Sequence, residues 1–181
     1  MRLSTRATLD DLYRVAGKAE LINGEIVLMA PTGGRPSRVS LEIAMRLRGY
    51  EREHGGGYAF PNNVAFAVQL PHRESFSPDA SWYVGAVPDM RFPLGAPVFA
   101  AEVRSEYDYG RTAEREMAAK RADYFACGTL VVWDVDVLSE EVIRSYKAAD
   151  PDHLVILRRG DLADAEPAVP GWRMAVNELF A

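Results

Sequence analysis

The chain has 181 residues, 48% hydrophobic and 26% charged, a composition that fits one soluble domain with one core and excludes a disordered or fibrous chain. Its formal charge of −5 argues against a protein whose whole surface grips nucleic acid, yet leaves room for a local basic groove beside carboxylates that hold a cation. A single cysteine, Cys127, excludes an internal disulfide, the three histidines His54, His72 and His153 have no zinc-like spacing, and no run approaches the roughly 20 apolar residues of a membrane span. The start Met1-Arg2-Leu3-Ser4-Thr5-Arg6 lacks the apolar stretch of a signal peptide, so the expected location is cytoplasmic, and residues 1–181 are expected to form one domain.

Thr8 and Asp11 form a partial capping box that opens a short helix ending near Gly17. Ala19 to Ile22 and Glu25 to Met29 read as two strands joined by Asn23-Gly24, a type I′ turn signal. After the loop Pro31-Thr32-Gly33-Gly34, Val39, Ile43, Leu47 and Tyr50 mark one face of a helix from Pro36 to His54, stopped by Gly55-Gly56-Gly57. Tyr58 to Gln69 and Ser77 to Val84 read as adjacent strands, with a turn through Pro71-His72-Arg73-Glu74, and Val87 to Gly95 as loop.

Val98 to Val103 is short and apolar on both faces, as the middle strand of a sheet should be. A helix from Thr112 to Ala126 precedes Gly128, and Thr129 to Val135 is another buried strand. Val142 to Tyr146 and Leu154 to Leu157 read as a closing hairpin, after which Trp172 and Leu179-Phe180 pack back on the body. Cys127 reads as a small core residue.

Several charges sit where this pattern predicts burial. With about 100° per residue from Ala113, Met117 falls at about 40°, Lys120 at about −20°, Tyr124 at about 20° and Cys127 at about −40°, so Lys120 lies within the apolar stripe. It either snorkels along the core, pairs with Glu116 one turn back, or meets a buried acid. Glu102 closes a strand free of polar residues and either surfaces at its end or faces a shared pocket. Asp79 follows Pro78 at a strand start, and Glu20 opens the hairpin beside Leu21 and Ile22; taken singly, these read as a turn aspartate and an exposed strand residue.

Taken together, acids on neighbouring strands and a lysine from the next helix can converge at one edge of a sheet, a pattern suited to phosphodiester hydrolysis. Mg²⁺ prefers about six oxygens and keeps several waters, so Asp79 and Glu102, with Glu20 as a further acid, suffice as its protein partners. Lys120 would hydrogen-bond the attacking water or a phosphoryl oxygen. Tyr124, one turn on, packs in the core or positions substrate.

The chain resembles the Uma-type family of restriction endonucleases within the PD-(D/E)XK nuclease superfamily. The resemblance spans nearly the whole chain. It rests on Ala19-Glu20-Leu21-Ile22-Asn23-Gly24-Glu25, Met29-Ala30-Pro31-Thr32-Gly33-Gly34, Ser77-Pro78-Asp79, Ala101-Glu102-Val103-Arg104-Ser105 and Lys120-Arg121-Ala122-Asp123-Tyr124 followed by Gly128 and Val132-Trp133-Asp134.

It implies a three-layer α/β/α restriction-endonuclease-like fold with a mixed central sheet and an N-terminal β-hairpin. It further implies a DNA endonuclease dependent on Mg²⁺, or Mn²⁺, held by Asp79 and Glu102, with Lys120 and Glu20 as further catalytic residues. Two positions depart from the pattern. Arg104 stands where the usual Glu-x-Lys has its lysine, and Pro36 lies where many relatives carry a histidine.

Arg38, Arg46, Arg48 and Arg52 on the long helix, and Arg111 and Arg115 near Lys120, either contact phosphates or form solvated faces balanced by Glu42 and Glu53. A homodimer would suit cleavage of both strands of a duplex. The rival reading is a non-catalytic scaffold that keeps the nuclease fold for binding.

Overall fold

In the computed structural model, which describes residues 6–181, local chemistry sets most of the elements as the sequence predicts. The N-terminal stretch Met1–Thr5, on which the reading of the leader partly rests, lies outside the described residues. Thr8 and Asp11 close a full capping box on helix α1 (Leu9–Leu12). Asn23 and Gly24 take φ of 54° and 74°, the left-handed pair a type I′ turn demands, and join β1 (Ala19–Ile22) to β2 (Glu25–Leu28).

Helix α2 (Gly34–His54) buries Val39, Ile43 and Leu47 completely, and α3 (Arg111–Ala126) ends just before Gly128. Strands β7 (Phe99–Val103) and β8 (Val131–Val135) run parallel at the centre of a six-stranded sheet. Their outer neighbours pair antiparallel: β6 (Ala80–Tyr83) and β3 (Tyr58–Phe60) on one side, β9 (Ile143–Lys147) and β10 (Asp150–Leu157) on the other. The sheet is therefore mixed.

Strand alternation divides the layers. Phe99, Ala101, Val103, Val131, Trp133 and Val135 face α2 and form the main core with Trp82 and Trp172. Ala100 and Val132 face the opposite way, toward Tyr124 of α3 and toward Val68 and Phe76. The tail packs back through Trp172 and Leu179, and β11 (Leu162–Asp164) and β12 (Arg173–Ala175) add a small ribbon that the sequence pattern does not reveal. Cys127 is half-buried at the end of α3 beside the Tyr124 cluster.

The region from Tyr58 to Val84 departs from expectation. Pro61-Asn62-Asn63, with Asn63 at φ 73°, breaks the first run into β3 and β4 (Phe66–Leu70). The expected turn through Glu74 is shorter, because Arg73 already begins β5 (Arg73–Phe76). Strands β4 and β5 leave the central sheet and join the hairpin in a second sheet of order β2-β1-β5-β4. Ser77-Pro78-Asp79 then carries the chain from the second sheet into the central one, so this short link adjoins β1, β5, β6 and β7.

Candidate active site

The crossing at Ser77-Pro78-Asp79 fixes the first acid. Asp79 N–H donates to the Ala101 carbonyl at 3.0 Å, and its own Oδ2 accepts from Val103 N–H at 2.8 Å, so the carboxylate is clamped across the end of β7. Ser40 of α2 donates its hydroxyl to the Asp79 carbonyl at 2.6 Å. One position inside the strand end, Glu102 projects toward α3, away from the main core, and its side chain keeps 21% exposure.

Lys120 reaches both Glu102 Oε1, at 2.8 Å, and Glu20 Oε1, at 2.9 Å. The apolar-stripe placement thus ends in buried acids, not in Glu116 or bulk solvent. Tyr124 donates its hydroxyl to Glu102 Oε1 at 2.6 Å while its ring stacks on Phe76 at 4.0 Å, so it both packs and hydrogen-bonds.

Glu20 is 1% exposed, contrary to the single-residue reading as an exposed strand position. Burial of a carboxylate is tolerable only with full compensation. Here Arg73 contacts Oε2 at 2.6 Å, and Ser77 N–H and Lys120 both reach Oε1. Arg73 in turn bonds Asp123 at 2.8 Å, and Asp123 reaches His72 at 2.7 Å.

Glu102, Lys120 and Glu20 therefore lie in one connected network, and Asp79 sits beside it, bonded to Lys18 and to the backbone N–H that follows Glu102. Missing from the sequence reading are Arg73, Asp123, Tyr124's hydroxyl contact and Lys18, whose Nζ lies 2.6 Å from Asp79 Oδ1. A basic residue just before the hairpin was the available signal for Lys18.

The electrostatics separate these acids. Burial pushes the Glu20 pKa upward, but Lys120 and Arg73 outweigh it and hold the carboxyl below its ordinary value. Glu102 goes the other way: burial raises it, with Asp79 and Glu20 adding to the rise against the pull of Lys120 and Lys18. Burial disfavours the charged Lys120, yet Glu102 and Glu20 overcome it and raise its pKa above the ordinary lysine value. The two carboxylates thus favour the ammonium form of Lys120, which donates to both.

Arg104, two residues after Glu102, is occupied elsewhere. Its guanidinium grips Asp134 of β8 through two bonds at 2.7 and 2.6 Å and also pairs with Glu114. The side chain is only 2% exposed.

The donor set fits a hard divalent cation. Among the described residues no three His, Cys, Asp or Glu side chains form a metal-binding group, and Asp79 and Glu102 supply oxygens of the kind that a Mg²⁺ keeping several waters would take. Glu102 Oε2 has no hydrogen-bond partner among the described residues, and the four acids Glu20, Asp79, Glu102 and Asp123 outnumber the three cations Lys18, Arg73 and Lys120. A dication would reverse that balance.

Of the arginines on α2, Arg46 pairs with Glu42 and Glu178, and Arg48 with Glu51. Helix α2 also covers the sheet face opposite Glu102. Arg111 and Arg115, by contrast, are exposed on the helix that carries Lys120.

A family model described as "Putative restriction endonuclease", Uma2, matches residues 8–177. The chain belongs to the Uma2 family. A crystal structure titled as that of "a putative nuclease" from Anabaena variabilis superposes with a TM-score of 0.74 over 96% of this chain and 97% of that one, at 18% identity. That likeness establishes the shared fold. No curated protein matches the chain. For the Uma2 chain described above, membership agrees with a restriction-type nuclease built on a mixed sheet.

Proposed function

We propose that this Uma2 protein is a divalent-metal-dependent endonuclease that hydrolyses phosphodiester bonds of DNA. The observation that carries the reading is the 2.8 Å contact between Lys120 Nζ and Glu102 Oε1, beside a second carboxylate, Asp79, clamped on the adjoining strand. Asp79 and Glu102 would hold Mg²⁺ or Mn²⁺, which when bound lowers the pKa of water and neutralises charge building on the phosphate.

The chain's own groups divide the remaining tasks. Lys120, fixed between two carboxylates, would donate toward the oxygen that gains charge in the transition state. Glu20 has its oxygens taken up by Arg73, Ser77 and Lys120, so it is a positioning residue that aims Lys120. Tyr124 fixes the Glu102 carboxylate, leaving its second oxygen open.

The rival, a non-catalytic scaffold, draws on the Lys18–Asp79 pair, which already neutralises one acid. Cleavage of supercoiled plasmid and of oligonucleotide DNA with Mg²⁺ or Mn²⁺ separates the two. Cleavage that disappears in Asp79→Asn supports the nuclease; no cleavage across metals and substrates, or undiminished cleavage by that variant, sinks it.

A further inference from the structure

Both oxygens of the Asp79 carboxylate already have a donor. Its Oδ2 is held by Val103 N–H at 2.8 Å, and its Oδ1 is in contact with Lys18 Nζ at 2.6 Å. On Glu102, Oε1 is taken by Lys120 and Tyr124 while Oε2 remains open. Asp79 Oδ1 and Glu102 Oε2 are the oxygens of the two carboxylates that no backbone group holds and that carry at most one side-chain donor. Lys18 sits on one of them.

An ammonium and a dication on the same oxygen repel strongly at a separation of about 3–4 Å. Lys18 is built to yield. Its backbone is anchored, with its carbonyl accepting from Met29 N–H at 2.9 Å at the start of the hairpin, whereas its ammonium rides on a flexible four-carbon stem and is 19% exposed on the side chain. Gly17, at φ 103°, turns the chain immediately before it.

We infer that Lys18 is an exchangeable counter-ion of the active site: it neutralises Asp79 when no metal is bound, is displaced from Oδ1 by the divalent cation, and then binds the substrate's phosphate. This rests on the metal-site reading above and adds a second substrate-contacting lysine, from the segment before β1. Lysine suits both states, because its three donors form a point charge that needs no bidentate geometry.

Calorimetric titration of the full chain with Mn²⁺ tests the exchange, using wild type, Lys18→Gln, Lys18→Arg and Asp79→Asn, each checked for a cooperative thermal transition. Removing a competing ammonium should tighten Mn²⁺ binding by about two- to fivefold in Lys18→Gln, the scale of one partly exposed ion pair. Lys18→Arg should bind no tighter than wild type. At saturating Mn²⁺, the KM for DNA should rise by about fivefold or more in Lys18→Gln and remain near wild type in Lys18→Arg, a split that a merely structural lysine does not produce.

Unchanged or weaker Mn²⁺ binding in Lys18→Gln, or an unchanged KM, overturns the inference. If Asp79→Asn abolishes binding while Lys18→Gln leaves it unaltered, only the role of Lys18 falls. If neither wild type nor Lys18→Gln binds Mn²⁺, the metal site falls with it.

Discussion

Two ion clusters sit on the same face of the central sheet, one around Arg104 and one around Lys120, and they differ in what they leave unsatisfied. Arg104 is 2% exposed and forks onto Asp134, itself 5% exposed, with Glu114 completing the set. Lys120 is 18% exposed, shares its charge between Glu20 and Glu102, and adjoins a carboxylate oxygen with no partner among the described residues. Buried charge by itself therefore does not mark a reactive site. The proposed chemistry is assigned to Lys120, which has an open oxygen beside it, and Arg104 acts as a strut between β7, β8 and α3.

Replacing each member tests this division. The largest stability effect is expected for Arg104→Met, which leaves the buried Asp134 only the longer 3.9 Å contact with Arg144 and should cost up to about 3–5 kcal/mol, read from urea unfolding. Cleavage per folded molecule should survive. Lys120→Met should instead lower the cleavage rate by about 10²–10³-fold under single-turnover conditions, the scale of one lost transition-state donor. Its stability loss should be smaller, because Glu20 keeps Arg73 and Glu102 keeps access to water.

Acid should distinguish the two glutamates. The Glu20 pKa is lowered in the fold, so its contribution is fully present above the unfolded value near 4.5 and is lost as pH falls through the folded pKa. Glu20→Gln should flatten the loss of stability below that range. The Glu102 pKa is raised, so the fold favours its protonated form, and that contribution is lost as pH rises through the folded pKa. Because a metal needs the ionised carboxylate, Mn²⁺ binding should weaken already above the ordinary carboxylate range and should release protons, seen by calorimetry in buffers of different ionisation heat. The smallest effect is expected for Tyr124→Phe: loss of one hydrogen bond to Glu102, about 1 kcal/mol in thermal unfolding, with a rate reduction of only a few fold.

What could be read from the sequence was local. Asn23-Gly24 announces its hairpin, the spacing of Val39, Ile43 and Leu47 announces α2, and the apolar runs of β7 and β8 announce central strands. The angular position of Lys120 in the α3 stripe also pointed inward, where the structure has it. What stayed hidden depends on contacts far apart in the chain. Arg73 reads as a turn residue because Pro71 and His72 precede it, and only the pairing of β5 with β1 brings it to Glu20 and Asp123. Lys18 has no pattern around it beyond its place before the hairpin; its meaning comes from Asp79, 61 residues away. The split of β3 from β4 was signalled by Pro61-Asn62-Asn63, but assigning β4 to a second sheet required the register with β5.

Single-turnover cleavage of supercoiled plasmid in Mn²⁺, comparing wild type, Lys120→Met and Arg104→Met at a temperature where all three are folded, tests the central claim most directly. The account predicts cleavage by wild type, a loss of about 100-fold or more in Lys120→Met, and a loss below about tenfold in Arg104→Met. Full activity in Lys120→Met, or loss in Arg104→Met equal to that of Lys120→Met, would contradict it.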